Sequence, residues 1–221
     1  MAKLLLSGEI KTSLAEVFIA SLNRETERSQ NTCKILYLSG TPGSGKTTCT
    51  KAISRELEIQ AIPEFLDQMP KWVLDTRKST PDELKLTAEM WVLHQYIKKN
   101  SVLKELKRGA VVDRTWLDAV LYSMVYGDYV TYQILSKVRE VEWINGIYLL
   151  LIANPNVTEE RLRKRFNLSK DQWKSEWKEY VIGLYEYSKA IGNELNIPII
   201  DTSCLNLVDT LTAIKRQFLN Y

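Results

Sequence analysis

An α/β architecture, a five-stranded parallel sheet flanked by helices, follows from three observations on the sequence. Short apolar runs without alternation recur along the chain, as in strands covered on both faces. Helical stretches separate these runs, which is the spacing of parallel crossovers. A glycine-rich segment follows the first run directly, at the sheet edge where such folds keep their ligands.

The elements read in order as follows. An amino-terminal helix is expected, capped by Thr12 or Ser13, with Leu14, Val17, Phe18 and Leu22 as its apolar stripe. Asn23 to Thr32 is almost wholly polar and reads as a connector. Ile35-Leu36-Tyr37-Leu38 forms the first strand and ends at Ser39-Gly40. Gly45 to Leu57 reads as a helix, and Ile59 to Ile62 as a second strand stopped by Pro63. Thr80-Pro81-Asp82-Glu83 combines a capping Thr, Pro at the first helical position and Glu three residues after the cap. That helix is expected to run to about Lys107, with an irregularity at Asn100-Ser101, and Gly109 ends it. Ala110-Val111-Val112-Asp113 is the third strand, followed by helices over Leu117 to Tyr126 and Val130 to Ile144. The fourth strand is Ile147 to Ile152 and the fifth Ile197 to Ile200, with helices between and after them.

The chain of 221 residues fits a single domain over 1–221, with the extra helix in 1–30 and an arginine-rich lid region at 154–178. Its 45% hydrophobic and 26% charged residues exclude disorder and fibrous repeats. The longest apolar run, Ile147 to Ala153, is far short of the ~20 residues of a membrane span, and Leu4-Leu5-Leu6 is too short for a secretory signal. Cys33, Cys49 and Cys204 have neither disulfide nor metal-ligand spacing, so a cytoplasmic protein without a membrane partner is expected. The net charge of +3 divides into +5 between Arg161 and Lys178 and −2 elsewhere. A compact anion met at one place suits that distribution better than a long polyanion.

Gly40-Thr41-Pro42-Gly43-Ser44-Gly45-Lys46-Thr47 fits G-x-x-x-x-G-K-[ST] between a predicted strand and a predicted helix. The glycines let main-chain amides converge on one phosphate, and the following helix adds its positive dipole end. Lys46 is suited to reach the β- and γ-phosphates, and Thr47 to ligate Mg²⁺. Residues 40–48, ending at Thr48, are therefore the expected ATP-binding set. A GTPase would need N-K-x-D, which is absent, and a motor-like ATPase usually has an apolar strand ending in Asp-Glu, also absent. The third strand ends instead in Asp113-Arg114-Thr115, so an acid and a base emerge together at the cleft edge.

Val111-Val112-Asp113-Arg114-Thr115, seven residues before Tyr122, resembles the Asp-Arg-Tyr segment of thymidylate kinases and the Glu-Arg-Ser segment of deoxyribonucleoside kinases. Pro63-Glu64, the run Arg161-Leu162-Arg163-Lys164-Arg165, and Pro198-Ile199-Ile200-Asp201 match the same group in order, from about Lys34 onward. The resemblance implies a nucleotide-kinase-like three-layer P-loop fold, ATP with Mg²⁺ as donor, and often a homodimer. By it Arg114 contacts the acceptor or the moving phosphoryl group, and Asp113 holds Mg²⁺ through water or orients Arg114. Arg161 and Arg165, four apart on one helix face, close together over ATP.

The acceptor is a nucleoside or nucleoside monophosphate by the same resemblance. Nucleoside kinases imply Glu64 as the base beside the 5′-hydroxyl, Trp72 as a wall of the acceptor pocket and Gln95 near the base-reading position. No arginine stands in Ile59-Gln60-Ala61-Ile62-Pro63-Glu64, where thymidylate kinases hold the acceptor's phosphate, which favours the unphosphorylated nucleoside. The plainer alternatives are a loop carboxylate for Glu64, helix surface for Gln95 and core for Trp72. His94 is expected to be structural, and Trp173 and Trp177 to pack a helix. Two further functions stay open at this point: phosphorylation of another hydroxyl, such as a modified base in DNA or a small metabolite, and a non-catalytic ATP-binding module.

Overall fold

The computed structural model describes residues 7–23, 34–65, 68–169, 173 and 175–219. Five strands, β1 (Ile35–Gly40), β2 (Gln60–Ile62), β3 (Ala110–Asp113), β4 (Ile147–Ile152) and β5 (Ile199–Asp201), form one sheet in the order β2-β3-β1-β4-β5. All pairs are parallel, with Leu36 opposite both Val111 and Ile147. Parallel pairing requires crossovers, and helices supply them on both faces. These are α1 (Gly8–Asn23), α2 (Lys46–Glu56), α3 (Lys71–Leu74), α4 (Asp82–Lys104), α5 (Trp116–Tyr126), α6 (Asp128–Arg139), α7 (Pro155–Phe166), α8 (Ser175–Glu194) and α9 (Leu207–Leu219).

The two-residue period of β1 divides the core. Leu36 and Leu38 pack with Cys49, Ile53, Ile214 and Phe218 of α2 and α9. Ile35 and Tyr37 face the larger layer, with Leu14 of α1, Leu93 of α4, Leu117 and Leu121 of α5 and Ile134 of α6. Each fully buried leucine or isoleucine contributes about 1.5–3 kcal/mol of transfer free energy. The amino-terminal helix belongs to this second layer: Phe18 meets Tyr148 of β4 edge-on at 5.4 Å, and Tyr132 of α6 donates to Glu9 Oε2 at 2.7 Å.

Several element ends differ from the sequence reading. α1 starts at Gly8, where Ile10 N–H donates to Ser7 Oγ, so Ser7 is the cap; Thr12 instead donates back to Gly8 O inside the helix. The Leu22 side chain and the connector from residue 24 onward lie outside the described residues. Thr80 caps no helix: its hydroxyl accepts from Arg77 N–H, and Pro81 occupies the capping position of α4. No irregularity interrupts α4 at Asn100, because buried Asn100 accepts from Ile144 N–H and donates to Glu142 O, satisfying the loop before β4. α6 ends at Arg139 rather than Ile144, and the short helix α3 was not foreseen. Among the described residues no helix is long and apolar enough to cross a membrane.

Candidate active site

The carboxyl ends of β1, β3 and β4 converge on residues 40–47. Gly40 has a left-handed φ of 121°, and a Cβ there would lie 2.2 Å from Leu151 O, so only glycine lets β1 turn against β4. Two of the loop's carbonyls, at Gly43 and Ser44, are held by groups outside the loop. Thr202 Oγ1 donates to Ser44 O at 3.1 Å and Arg161 Nη1 to Gly43 O at 3.0 Å. A loop whose carbonyls turn out directs its amides inward, the geometry of an anion cradle. α2 starts at Lys46 with Gly45 in the left-handed region, adding a helix N-terminus to the cradle.

Lys46 is buried, and its ammonium donates to Gly40 O, Thr41 O and Ser44 Oγ at 3.0, 2.6 and 3.3 Å. Burial, then the Arg114 charge, lowers its pKa to about 8. Asp113 at the end of β3 is fully buried, and neither carboxylate oxygen has a hydrogen bond of normal geometry among the described residues. Burial raises its pKa, while the Thr47 hydroxyl, then Lys46 and Arg114, act to hold it down. Two unsatisfied carboxylate oxygens beside a threonine hydroxyl fit a hard divalent cation. Among the described residues no group of three or more His, Cys, Asp or Glu forms a cage. The arrangement therefore suits an ion that completes its shell with water and phosphate, as Mg²⁺ does.

Arg114 follows Asp113 with a left-handed φ of 65°, uncommon for a residue bearing Cβ. The turn leaves Arg114 N–H on Leu38 O at 2.9 Å while its side chain enters the cleft. There its Nε pairs with Glu64 Oε1 at 2.5 Å, and Nη1 reaches Tyr122 Oη at 2.7 Å and Asp118 Oδ1 at 3.4 Å. These partners hold its pKa well above the usual guanidinium value despite burial.

Asp118 is a site residue that the sequence reading missed. It closes a capping box on α5 with Thr115, and its Oδ1 accepts from Gly40 N–H at 3.2 Å as well as from Arg114. The T-x-x-D spacing of Thr115 and Asp118 was the available signal. Lys99 was also missed. Its ammonium donates to Asp113 O at 2.6 Å, and burial lowers its pKa to about 8.

A cavity of about 580 Å³ runs from this cradle away between α4, α5 and α8. Asp118, Tyr122 and Tyr126 lie on one face of α5 at successive turns, spanning about 12 Å. Tyr96, Val92 and Glu89 of α4 line the same chamber, and Tyr180 and Trp177 of α8 close it. Tyr180 is the hub, with ring centroids 5.8 Å from Tyr122, 6.0 Å from Tyr126 and 6.0 Å from Trp177.

The structure brings Lys46, Thr47, Thr48, Glu64 and Arg114 together around this space, with Asp113 fully buried behind Thr47 and Lys46 rather than on the cavity wall. Pro42, Gly43, Ser44 and Gly45 also line the cavity, whereas Thr41 is buried behind the loop, donating to Leu151 O. Arg161 lines it too, but its guanidinium is occupied by Gly43 O, Thr202 Oγ1 and Thr202 O, bracing the loop rather than swinging over it. Arg165 also lines the cavity, but on its exposed side, where its guanidinium lies over the Phe166 ring at 5.4 Å. Trp72 is neither core nor chamber wall, since it is 49% exposed and its neighbour Val73 turns inward. Gln95 does not line the cavity either; Tyr96 occupies that face of α4. His94 is exposed, and Trp177, expected only to pack a helix, forms part of the wall while its ring meets Trp173 at 6.1 Å.

Comparison with known proteins agrees with this geometry. The AAA domain family matches residues 35–204. No curated protein matches the sequence. Among solved structures, deoxyadenosine kinase from M. mycoides is 17% identical, with 85% of this chain and 100% of that chain covered at a TM-score of 0.69. The same enzyme with bound dATP is 20% identical over the same shares, with a TM-score of 0.63. Thymidylate kinase from Candida albicans is 15% identical over 83% and 90%, with a TM-score of 0.59. These likenesses establish a shared P-loop kinase fold.

Proposed function

The chain belongs to the AAA domain family, and from that premise we propose that it is an ATP- and Mg²⁺-dependent kinase acting on a nucleoside-sized acceptor. One observation carries the reading. The Arg114–Glu64 pair stands where the phosphate cradle meets the aromatic chamber, so a donor phosphate and an acceptor hydroxyl would meet there. A cavity that served only to hold or hydrolyse ATP would not need the chamber beyond that pair.

The acceptor hydroxyl lies beside Glu64, whose carboxylate takes its proton as the oxygen attacks the γ-phosphorus. The bond from that phosphorus to the bridging oxygen breaks, and ADP leaves with the electron pair. Arg114 and Lys46 neutralise charge on the moving group, which is the main service phosphoryl transfer asks of a protein. Mg²⁺, held by Thr47 and Asp113, would supply further neutralisation of the phosphates when bound. A nucleoside is favoured over its monophosphate, because no arginine stands in Ile59-Gln60-Ala61-Ile62-Pro63-Glu64 to hold an acceptor phosphate beside Glu64. The kinases of the same fold support the class: the M. mycoides enzyme is described with dCMP and dCDP, and with dATP.

Incubation with γ-labelled ATP, Mg²⁺ and a panel of nucleosides, monophosphates, small hydroxyl metabolites and single- and double-stranded DNA tests the proposal. Label is expected on free nucleosides ahead of monophosphates. Label on DNA alone would replace the acceptor class, and label only in inorganic phosphate would make the protein an ATPase.

A further inference from the structure

We propose that Glu89 is the specificity-determining residue at the far end of the chamber, selecting an acceptor whose planar ring presents an amino group to its carboxyl. The inference rests on the phosphotransferase reading above and names the acceptor chemistry that reading leaves open.

Glu89 is 5% exposed, lines the cavity, and its Oε2 has no hydrogen-bond partner among the described residues. A buried carboxyl oxygen without a partner costs on the order of 1–3 kcal/mol or more, so a ligand donor completing it would be strongly selected. The nearby cations are engaged elsewhere. Lys85 pairs with Asp82 at 2.9 Å, Arg114 with Glu64 and Asp118, and Arg77 donates to Leu74 O and Thr76 O while covering Trp177.

The remaining surroundings are aromatic. Tyr122, Tyr126, Tyr180 and Trp177 offer ring faces and edges, the environment that stacks on a planar heterocycle. Depth agrees as well. Asp118 marks the phosphate end and Tyr126 lies about 12 Å further along α5. The Glu89 charge acts on Tyr126 and Tyr180, so Glu89 belongs to that end of the chamber, and an acceptor with its hydroxyl at Glu64 would present the far edge of its ring there.

Burial raises the Glu89 carboxyl to about 8, with the Arg114 charge pulling it down. The groups facing it are Arg114, the hydroxyls of Tyr126 and Tyr180, and Lys85 over the Tyr126 ring. The ionised carboxylate only accepts hydrogen bonds, whereas the acid also donates one. Discrimination between an amino group and a carbonyl at the same ring position is therefore sharpest above that pH.

The test is calorimetric binding at about pH 8.5, alongside label transfer, for two matched pairs: deoxycytidine with deoxyuridine, and deoxyadenosine with deoxyinosine. For the wild type, the amino member of at least one pair should bind about 10- to 150-fold more tightly, the range for a hydrogen bond to a charged group. For Glu89→Gln, whose amide offers a donor or an acceptor by rotating, the two members should come within about threefold. Equal binding in the wild type, no binding of either pair, or a preference unchanged in Glu89→Gln would overturn the inference. Transfer to nucleosides without that preference would sink the inference alone. A Glu89-dependent preference without any transfer would sink the kinase reading and leave the binding assignment standing.

Discussion

Arg114 Nε lies 2.5 Å from Glu64 Oε1, so one ion pair ties the end of β3 to the turn after β2. Both side chains are nearly buried, 12% and 13% exposed, and Tyr122 and Asp118 complete the guanidinium's contacts. Charges this enclosed are worth keeping only when paired, since removing one partner strands the other. The pair therefore holds two functional groups in register between the phosphate cradle and the chamber.

Arg114→Ala removes the charge that, in the proposed reaction, faces the transferring group. The expected outcome is a fall in kcat of about 10²-fold or more, with KM for ATP little changed, because the contact strengthens in the transition state. Steady-state kinetics with ATP varied at saturating acceptor checks it. A loss confined to ATP affinity would move Arg114 out of the acceptor side of the site.

Lys46 carries a pH signature. Its pKa is lowered to about 8, and a bound triphosphate favours the ammonium and raises it again. Between the two values ATP binding takes up a proton, so affinity should be flat below pH 8 and fall about tenfold per pH unit above it. Calorimetry in buffers of different ionisation enthalpy reads the proton directly. Lys46→Ala should abolish turnover with an unchanged far-ultraviolet spectrum; normal turnover would remove Lys46 from its role.

Arg161 braces the loop through three hydrogen bonds, to Gly43 O and both oxygens of Thr202. Arg161→Ala should therefore weaken ATP binding by loosening the cradle, raising KM for ATP about tenfold or more, one charge-assisted bond's worth. It should also lower the unfolding free energy by about 1–3 kcal/mol. An unchanged stability together with a pure kcat loss would restore the picture of a mobile arginine closing over the phosphates.

The cradle was legible because it is local. Eight consecutive residues carry the pattern, and the apolar runs on either side state the sheet without help from distant contacts. Asp113 and Arg114 were legible for the same reason, being the two residues that leave a buried strand together. The chamber was not, because its walls come from α3, α4, α5 and α8. On α4 apolar and polar residues alternate around the circumference, so sequence alone does not say which face turns inward. Gln95 is one residue from Tyr96, about 100° around the helix, and that rotation takes the half-buried Gln95 off the chamber wall. Glu89 carries no motif or spacing of its own, and only the packing of α4 against its neighbours encloses it. Trp72 failed as a pocket residue for the opposite reason: a four-residue helix turned its neighbour Val73 inward instead.

Glu89 also predicts how stability varies with pH. Its folded-state pKa is raised from 4.5 to about 8 by burial, so the folded protein holds that proton more tightly than the unfolded chain does. The stability it contributes is fully present below about 4.5 and is lost as pH rises to about 8. The slope is at most about 1.4 kcal/mol per pH unit. Glu89→Gln keeps the shape and removes the titration. The variant should gain thermal stability over the wild type progressively from pH 5 to pH 8, and the gap should then level off. Lys46 and Lys99, both lowered to about 8, act above this window and act equally in the two proteins, so they cancel in the difference. Differential scanning calorimetry of both proteins across that range decides the matter: a gap that stays constant with pH would mean that Glu89 is ionised and already partnered in the folded protein.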